Sequence, residues 1–340
     1  MKKGIQELLW MILVGILMPM CLICSAIGLS KPAEGTVETR PCQLQTIVTD
    51  PLTTELPDPP MIPEEVNVEI AVILGEDIVF MNLEEYVLCV VLGEVPATFD
   101  MEALKAQAVV ARTYTLKAVL ENTRHNGAVC TKSGCCQAYQ SPDAYLNRGG
   151  TEEGLSRVKQ AVVDTEGEVL HYNGELITAT YFSCSGGYTE DAVAVWGYDV
   201  PYLQAVESPG EEGTAAYEKQ VIYSLDEFEK LLAVRLMGSP KDWFGAVKYT
   251  DGGGVATMQI GGVTYRGTTL RKLLNLRSTN FTIHVREDLI IISTKGYGHR
   301  VGMSQYGAEA MAMNGATYKD ILTHYYTGAK LAQFDPEQLR

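Results

Sequence analysis

Glu94 is the acidic residue whose sequence neighbours best suit acid–base chemistry. It lies in the segment YVLCVVLGEVPATF, where Gly93 precedes it and apolar residues dominate on both sides. An apolar environment disfavours a charged carboxylate, so Glu94 should be partly desolvated, which is what a general acid requires. The alternative is an ordinary charge at a strand-to-helix turn, paired with Lys105 or Arg112. Spacing alone leaves both interpretations open.

Four soft metal ligands fall within the 12 residues His125 to Cys136 of the segment RHNGAVCTKSGCCQAY: His125, Cys130, Cys135 and Cys136. Imidazole and thiolate groups at such separations can surround one tetrahedral Zn²⁺. Because adjacent cysteines rarely bind one ion without strain, the predicted ligands are His125, Cys130 and Cys136. A disulfide from Cys130 to Cys135 or Cys136 is the competitor outside the cytoplasm, and free thiols are the third alternative.

A glycine-rich stretch near the C-terminus, TKGYGHRVGMSQYGAEAMA, contains the polar side chains His299, Ser304, Gln305 and Tyr306. Glycine-rich loops let a ligand approach the backbone closely, and these side chains can hydrogen-bond hydroxyl or acetamido groups. The alternative is a bend packed against a helix that begins near Ser304. His299 beside Ser304 makes no catalytic triad, because no orienting acid accompanies it.

Aromatic and small polar residues are mixed in and next to FSCSGGYTEDAVAVWGYDVPYL. The aromatic residues are Tyr181, Tyr188, Trp196, Tyr198 and Tyr202. Rings beside small polar groups suit a platform for sugars. Such rings are more often simply part of a core, so this signal is weak on its own.

A long helix is predicted to position part of this chemistry. It follows Asp100, a good N-cap residue, and runs through MEALKAQAVVARTYTLKAVLE. Lys105 and Arg112 are seven residues apart and share one face, while Gln107 and Tyr114 share another.

The remaining patterns indicate further helices and mostly antiparallel strands. VEIAVILG and EDIVFMNLEEYV predict a strand pair, and the Asn-Gly of HYNGEL predicts a hairpin. GLSRVKQAVVDT, SLDEFEKLLAVRLMG and GATYKDILTHYYTGAKL predict helices. Because there is no strict strand–helix repeat, we expect the α+β class, as a single mixed helix and antiparallel-sheet catalytic domain over residues 67–335.

The first 66 residues predict an anchor and a spacer. Residues 8–30 carry no charge and are long enough to cross a bilayer as a helix, so residues 1–30 are interpreted as a cytoplasmic tip and a transmembrane helix. Lys2 and Lys3 predict a cytoplasmic N-terminus and an extracytoplasmic catalytic domain in the cell membrane. A cleaved signal peptide is the alternative. Residues 31–66, rich in proline and acidic residues, are interpreted as a linker.

Composition excludes several classes of protein. With 46% hydrophobic residues over 340 positions, the chain can bury a large core and is not disordered. A formal net charge of −15 makes nucleic acid an improbable partner, since phosphate backbones are bound by basic surfaces.

The order of these motifs resembles the stage II sporulation protein D family. The resemblance rests on YVLCVVLGEVPATFDMEALKAQAVVARTY, CCQAYQ, YFSCSGGYTE and GYGHRVGMSQYGAEAMAMNGATYKDILTHYYTGAKL, and spans about residues 67 to 332. It implies a sporulation lytic transglycosylase acting during engulfment. The expected substrate is peptide-free peptidoglycan, cut between N-acetylmuramic acid and N-acetylglucosamine. Expected partners are the amidase stage II sporulation protein P and the membrane protein stage II sporulation protein M.

The resemblance also implies roles for individual residues. Glu94 falls on the family's catalytic glutamate, and His125, Cys130 and Cys136 match a structural zinc site. The other implied substrate-binding residues are Lys105, Gln107 and Arg112 on the helix, and Tyr188, His299, Ser304, Gln305 and Tyr306 in the later blocks. Two positions depart from the family pattern: Arg300 stands where glycine is usual, which puts close substrate approach there in doubt, and Cys184 stands where threonine is common.

Two other functions remain open. The chain could be a non-catalytic glycan-binding enhancer of a cell-wall amidase. It could also be a zinc hydrolase that uses the His-Cys-Cys ion, although no general-base glutamate follows those ligands.

Overall fold

The computed structural model describes residues 68–121 and 125–339, which form a mixed α+β structure. The predicted anchor and linker, residues 1–30 and 31–66, lie outside the described residues. Within the described ranges, no helix combines the length and the apolar character needed to cross a membrane.

Nine α-helices and 16 strands are present in the described residues. The helices are α1 Leu83–Glu94, α2 Met101–Leu120, α3 Pro142–Asn147, α4 Glu152–Asp164, α5 Ala192–Trp196, α6 Leu225–Leu232, α7 Gly267–Leu273, α8 Gln305–Met313 and α9 Tyr318–Tyr325. The strands are β1 Glu69–Leu74, β2 Asp77–Asn82, β3 Val129–Cys130, β4 Glu168–Tyr172, β5 Glu175–Leu176, β6 Tyr181–Phe182, β7 Gly187–Tyr188, β8 Glu207–Ser208, β9 Glu218–Ser224, β10 Phe244–Tyr249, β11 Val255–Ile260, β12 Val263–Arg266, β13 Asn280–Arg286, β14 Leu289–Lys295, β15 Met303–Ser304 and β16 Lys330–Gln333.

The predicted strand pair is present, but its second strand is shorter than expected. β1 and β2 pair antiparallel, and β2 ends at Asn82, where α1 begins. The side chain of Asn82 accepts hydrogen bonds from the backbone N–H groups of Glu84 and Glu85, at 2.8 and 3.2 Å. This cap satisfies donors that a helix start leaves free, so LEEYVLCVVLGE is helical despite its β-branched residues. Glu94 therefore ends a helix, and the alternative interpretation that placed it at a strand-to-helix turn is wrong.

The central helix α2 agrees with its prediction. It begins after Asp100, whose side chain accepts from the Glu102 N–H at 2.9 Å. Its alanines are buried, and α1, α4, α8, α9 and β4 pack around it. These elements enclose the larger of two apolar clusters.

Most of the sheets are small and antiparallel. The Asn173-Gly174 turn joins β4 to β5, as predicted, with both residues at positive φ, the conformation that a two-residue hairpin turn requires. The strand orders are β2-β1-β3, β10-β11-β12, β13-β14-β9, β15-β6, β16-β4-β5 and β7-β8. Among these strands of the described residues, the pairing is parallel only in β1–β3 and β15–β6.

A second apolar cluster is enclosed by the elements from β9 to β14. Its members include Phe228, Trp243, Met258 and Ile292. The chain returns from this cluster through β14 into the glycine-rich stretch, which leads back to the first cluster at α8.

Candidate functional site

Glu94 lies at the end of α1, where the backbone of residues 138–140 crosses the helix. The Gln140 N–H donates to the Cys89 carbonyl at 2.8 Å and fixes this crossing segment on the helix. A Cβ on Gly93 would lie 2.8 Å from the backbone nitrogen of Tyr139, so glycine is what permits the close approach. The Ala138 N–H then donates to Oε1 of Glu94 at 2.6 Å.

The second oxygen of Glu94 faces amide side chains. Gln305 Nε2 lies 3.5 Å from Glu94 Oε2 and donates to Gln107 Oε1 at 3.4 Å. Gln107 Nε2 is buried without a hydrogen-bond partner. The carboxylate thus has one firmly held oxygen and one with only a long contact. It forms no ion pair with Lys105 or Arg112, which was the alternative interpretation.

Glu94 opens into a cleft of about 710 Å³. The lining consists of Glu94, Tyr114, Ser133, Gly134, Cys135, Cys136, Thr178, Thr180, Tyr181, Phe182, Ser183, Trp196, Tyr198, Tyr297, Gly298, His299 and Gln305. Among the described residues that line it, Glu94 is the only carboxylic acid. The cleft can therefore supply one carboxyl group for acid–base chemistry, among aromatic rings and hydroxyl groups.

His299 is a neutral polar group in this cleft. Its ring packs edge-on against Phe182 and at a tilt against Trp196, with ring centroids 5.6 and 5.8 Å away. Burial, together with the nearby charge of Arg271, lowers the pKa of His299 to about 4, although a hydrogen bond to the Tyr181 backbone acts in the opposite direction. Nδ1 accepts from the Val301 N–H at 3.1 Å, which leaves the proton on Nε2.

Tyr181 brings a hydroxyl close to the carboxylate. This hydroxyl is buried and has no partner at hydrogen-bonding geometry. Burial and the charge of Glu94 raise the pKa of Tyr181 well above its ordinary value, so the phenol stays protonated. Trp196 and Tyr198 stack at 6.1 Å and form an aromatic wall. Of the five aromatic residues predicted to form a platform, three line the cleft: Tyr181, Trp196 and Tyr198.

The His/Cys segment forms one side of the same cleft and brings all four predicted soft ligands together. The ligand atoms of His125, Cys130, Cys135 and Cys136 lie within 4.8 Å of one another. Backbone φ angles of 50° and 53° at His125 and Asn126 turn the loop so that His125 Nε2 approaches Cys135 Sγ to 3.2 Å. These cysteines are free thiols, so neither disulfide pairing is present. Cys135, which the sequence analysis left out of the predicted ligand set, lies in the same cluster as the three predicted ligands.

The donor set fits a metal ion. One imidazole and three sulfurs match a closed tetrahedral zinc site, which has no open position for substrate. Burial raises the pKa of Cys136 to about 12. For Cys130, hydrogen bonds from the Lys132 backbone and neighbouring cysteines outweigh burial and lower the pKa.

Two residues predicted to bind substrate lie outside the cleft lining, in ion pairs. Lys105 Nζ lies 3.2 Å from Glu102 Oε1 and 3.0 Å from Asp164 Oδ2. Arg112 is 0% exposed and binds both carboxylate oxygens of Glu84, at 2.8 and 2.5 Å. Both side chains fix α2 against neighbouring elements.

Four further predicted residues also lie outside the lining, among them Gln107, which accepts the hydrogen bond from Gln305. Tyr188 is exposed, and Tyr306 packs edge-on against Phe99 at a centroid distance of 5.4 Å. Ser304 caps α8 and donates to the buried carboxylate of Glu211.

Glu211 is a positioning residue that the sequence did not reveal. Its fully buried carboxylate accepts from the Ser185 N–H at 2.9 Å, from the Gly186 N–H at 2.8 Å and from the Ser208 hydroxyl at 3.0 Å. Through Ser304 it fixes the start of α8, where Gln305 follows. The Cys184 thiol donates to the same carboxylate at 3.2 Å, so this departure from the family pattern is accommodated by a buried network.

Arg300, the other departure, is part of the fold and not of the cleft. It is 0% exposed and lies 3.0 Å from Glu190. It also donates to the carbonyls of Ser185, Tyr188 and Gly252, at 2.7, 2.7 and 2.6 Å. The doubt about close substrate approach therefore does not arise from this side chain, which is directed into the core.

The chain is similar to known proteins over most of its length. A family model described as "Stage II sporulation protein" matches residues 76–172. Stage II sporulation protein D of Bacillus subtilis is 40% identical over 259 residues, covering 74% of this chain and 75% of that protein. The chain belongs to the stage II sporulation protein D family. The Bacillus amyloliquefaciens protein of the same name is 39% identical over the same shares of both chains.

A second kind of relative carries a different name. The amidase enhancer of Bacillus subtilis is 32% identical over 299 residues, covering 72% of this chain and 40% of that protein. The residues matched by the family model include Glu94 and the four soft ligands, whereas His299 and Gln305 lie beyond them. Family membership supports a role in sporulation and in the cell wall.

Proposed function

We propose that this chain is a lytic transglycosylase that cuts peptide-free glycan strands of peptidoglycan between N-acetylmuramic acid and N-acetylglucosamine. The observation that supports this most directly is the single carboxylic acid, Glu94, in an aromatic cleft. A hydrolysing glycosidase ordinarily uses two carboxyl groups across the bond. A transglycosylase that closes a ring within its own substrate needs one.

The reaction balances with Glu94 alone. The protonated carboxyl donates its proton to the glycosidic oxygen as the bond from that oxygen to the muramyl C1 breaks and the electron pair stays on oxygen. The C6 hydroxyl of the same muramyl residue attacks C1 and forms a 1,6-anhydro ring. Its proton returns to Glu94, so no water is consumed and the acid is regenerated.

The surrounding residues suit these steps. The Ala138 N–H holds Oε1, so Oε2 is the oxygen available for proton transfer. Gln305 is in long contact with this oxygen, and neutral His299 and the Tyr181 hydroxyl offer hydrogen bonds to a sugar without adding charge. Trp196 and Tyr198 give apolar faces against which sugar rings can pack.

The metal and the partners follow from the same proposal. We expect Zn²⁺ on His125, Cys130, Cys135 and Cys136, holding the loop that contributes Ser133 and Gly134 to the cleft wall. The proposed role is structural. We further expect an extracytoplasmic domain anchored in the cell membrane, acting in engulfment with stage II sporulation proteins P and M.

Replacing Glu94 by glutamine tests the chemistry. Glu94→Gln keeps the shape but cannot donate a proton as an acid, so release of anhydromuramyl ends from peptide-free strands should fall by about 10² to 10⁴-fold or more. Glu85→Gln is the matched control, because it removes an exposed carboxylate from the same helix outside the cleft. Anhydromuramyl release by Glu94→Gln at near the parent rate would show that the assignment is wrong.

The name of the amidase enhancer favours one second candidate, a glycan-binding enhancer without turnover. An active amidase stimulated equally by the parent chain and by Glu94→Gln, with no anhydromuramyl product from either, would support that function instead.

A further inference from the structure

Next to the cleft lies a second, cationic pocket that the proposed reaction does not use. It has a volume of about 280 Å³ and is lined by Lys219, Asn275, Arg277, Thr294 and Tyr297, with Val221 and Leu276. No aspartate or glutamate is among the described residues that line it. Tyr297 lines both the cleft and this pocket, so a single extended ligand can reach both.

Three cations near Tyr297 form no ion pair with the acidic residues that the structure describes. None of the ion pairs among residues 68–121 and 125–339 involves Lys219, Arg271 or Arg277. The Arg277 guanidinium lies over the Tyr297 ring at 4.9 Å and uses one N–H on the Ala215 carbonyl, at 2.9 Å. Its other N–H groups are available to an anion.

Arg271, on α7, adds a positive charge near the cleft. Its charge affects the pKa of His299, and Tyr297 in turn affects the pKa of Arg271, so it lies near both cleft residues. Burial lowers the pKa of Arg271 itself, because a partly desolvated guanidinium without a bound carboxylate is less stable in its charged form. Unpaired cations at a cleft are unexpected in a chain of net charge −15.

We infer that this cationic pocket binds the lactyl carboxylate of a muramyl residue and thereby selects glycan strands whose stem peptides have been removed. The inference rests on the proposed function, because it takes a muramyl glycan as the ligand. Hydrolysis of the amide between the lactyl group and the peptide adds water and leaves a carboxylate. A strand that still carries its peptide has a neutral amide at that atom, followed by a bulky chain. Arginine fits a carboxylate with two parallel hydrogen bonds and gives no such contact to an amide carbonyl.

The decisive comparison changes the substrate rather than the protein. Full-length chain carrying Glu94→Gln is titrated with peptide-free glycan strands, and with the same strands after carbodiimide coupling of their lactyl carboxyls to methylamine. A charged hydrogen bond contributes enough that the amidated strands should bind about tenfold more weakly. Equal affinity for the two strands would overturn the inference.

Substitutions in the pocket test which residues cause the difference in affinity between the two kinds of strand. In Arg271→Gln/Arg277→Gln the tenfold gap should fall below about threefold, whereas Lys248→Gln, which removes an exposed charge from β10 outside the pocket, should leave it unchanged. If the double variant does not fold, exposed Lys219→Gln should still narrow the gap by about threefold. If the folded double variant or Lys219→Gln keeps the tenfold difference in affinity between the two strands, the carboxylate is recognised elsewhere and the inference is overturned.

Failure of this inference and failure of the proposed reaction give different results. Anhydromuramyl ends released by the parent chain at equal rates from both strands would leave the reaction intact and exclude carboxylate recognition. A tenfold affinity gap without any anhydromuramyl product would leave the carboxylate pocket intact and exclude the reaction.

Discussion

Acidification should destabilise the folded chain through His299. The imidazole packs against Phe182 and Trp196, and burial with the charge of Arg271 lowers its pKa from 6.5 to about 4. The unfolded chain therefore binds this proton at a higher pH than the folded chain does. The stability that neutral His299 contributes is complete above pH 6.5 and is lost as the pH falls toward 4.

The size of this effect follows from the two pKa values. A full shift from 6.5 to about 4 corresponds to about 3 kcal/mol in the free energy of unfolding, at about 1.36 kcal/mol per pKa unit. Between pH 7 and pH 5 the proton on the unfolded chain alone accounts for about 2 kcal/mol of this. That is a large part of the stability of an ordinary domain.

Urea unfolding at pH 7 and pH 5 measures this contribution. Carboxyl groups also change the stability over this range, so the quantity to compare is the difference between parent and His299→Gln. Glutamine keeps a polar group but has no proton to gain, so the variant should lose about 2 kcal/mol less than the parent. His284→Gln, which removes an exposed imidazole from β13, is the matched control and should behave as the parent does.

Equal losses in the parent and in His299→Gln would refute this reasoning. They would mean that the imidazole is solvated in the folded chain or protonated at neutral pH. His299 would then enter the cleft as a cation, and its proposed role as a neutral hydrogen-bonding group would have to be abandoned.

Three other changes have defined expected results. Cys135→Ser should release bound zinc and lower the melting temperature, measured by elemental analysis and calorimetry; retained zinc would indicate a three-ligand site. Glu190→Gln leaves the Arg300 guanidinium buried without its anion and should cost about 3 kcal/mol in urea unfolding; a loss below about 1 kcal/mol would contradict a buried pair. Gly93→Ala puts a methyl group against the backbone at Tyr139 and should reduce anhydromuramyl release while costing about 1 to 3 kcal/mol in stability; unchanged activity would show that the Glu94 position does not depend on this contact.

Local patterns predicted the parts of the fold that local interactions determine. The helix after Asp100 begins with its side-chain cap, and the Asn173-Gly174 turn has the positive φ angles that the hairpin demands. The soft ligands were predictable because they lie within one short loop. The position of Cys135 within this cluster was not predictable, since whether its Sγ turns toward His125 depends on backbone angles that the spacing does not encode.

The errors arose where a cap or a distant partner outweighed local propensity. The run VLCVV favours a strand, yet the Asn82 cap and burial against α2 make it helical. Arg112 was expected to bind substrate because it falls on the family's helix motif, whereas in the structure its guanidinium is held in an ion pair. Its partner Glu84 lies 28 residues earlier, and a bidentate pair of this kind is visible only when α1 and α2 are packed together.

The cleft itself depends on contacts between remote parts of the chain, and this limits what a sequence can reveal. Gln305 meets Glu94 across 211 residues, so their adjacency has no local signal. Tyr297 carried one, because it lies two residues before His299 within the glycine-rich stretch that the sequence singles out. Arg271 carried none: it lies on a different helix, and only the return of the chain after β14 brings it near His299. Chemistry that depends on one unusual residue can be predicted from the sequence. Recognition of a charged substrate depends on cations that cannot be told from ordinary surface residues in the sequence. Only the folded structure shows that they lie beside a cleft without an ion-pair partner.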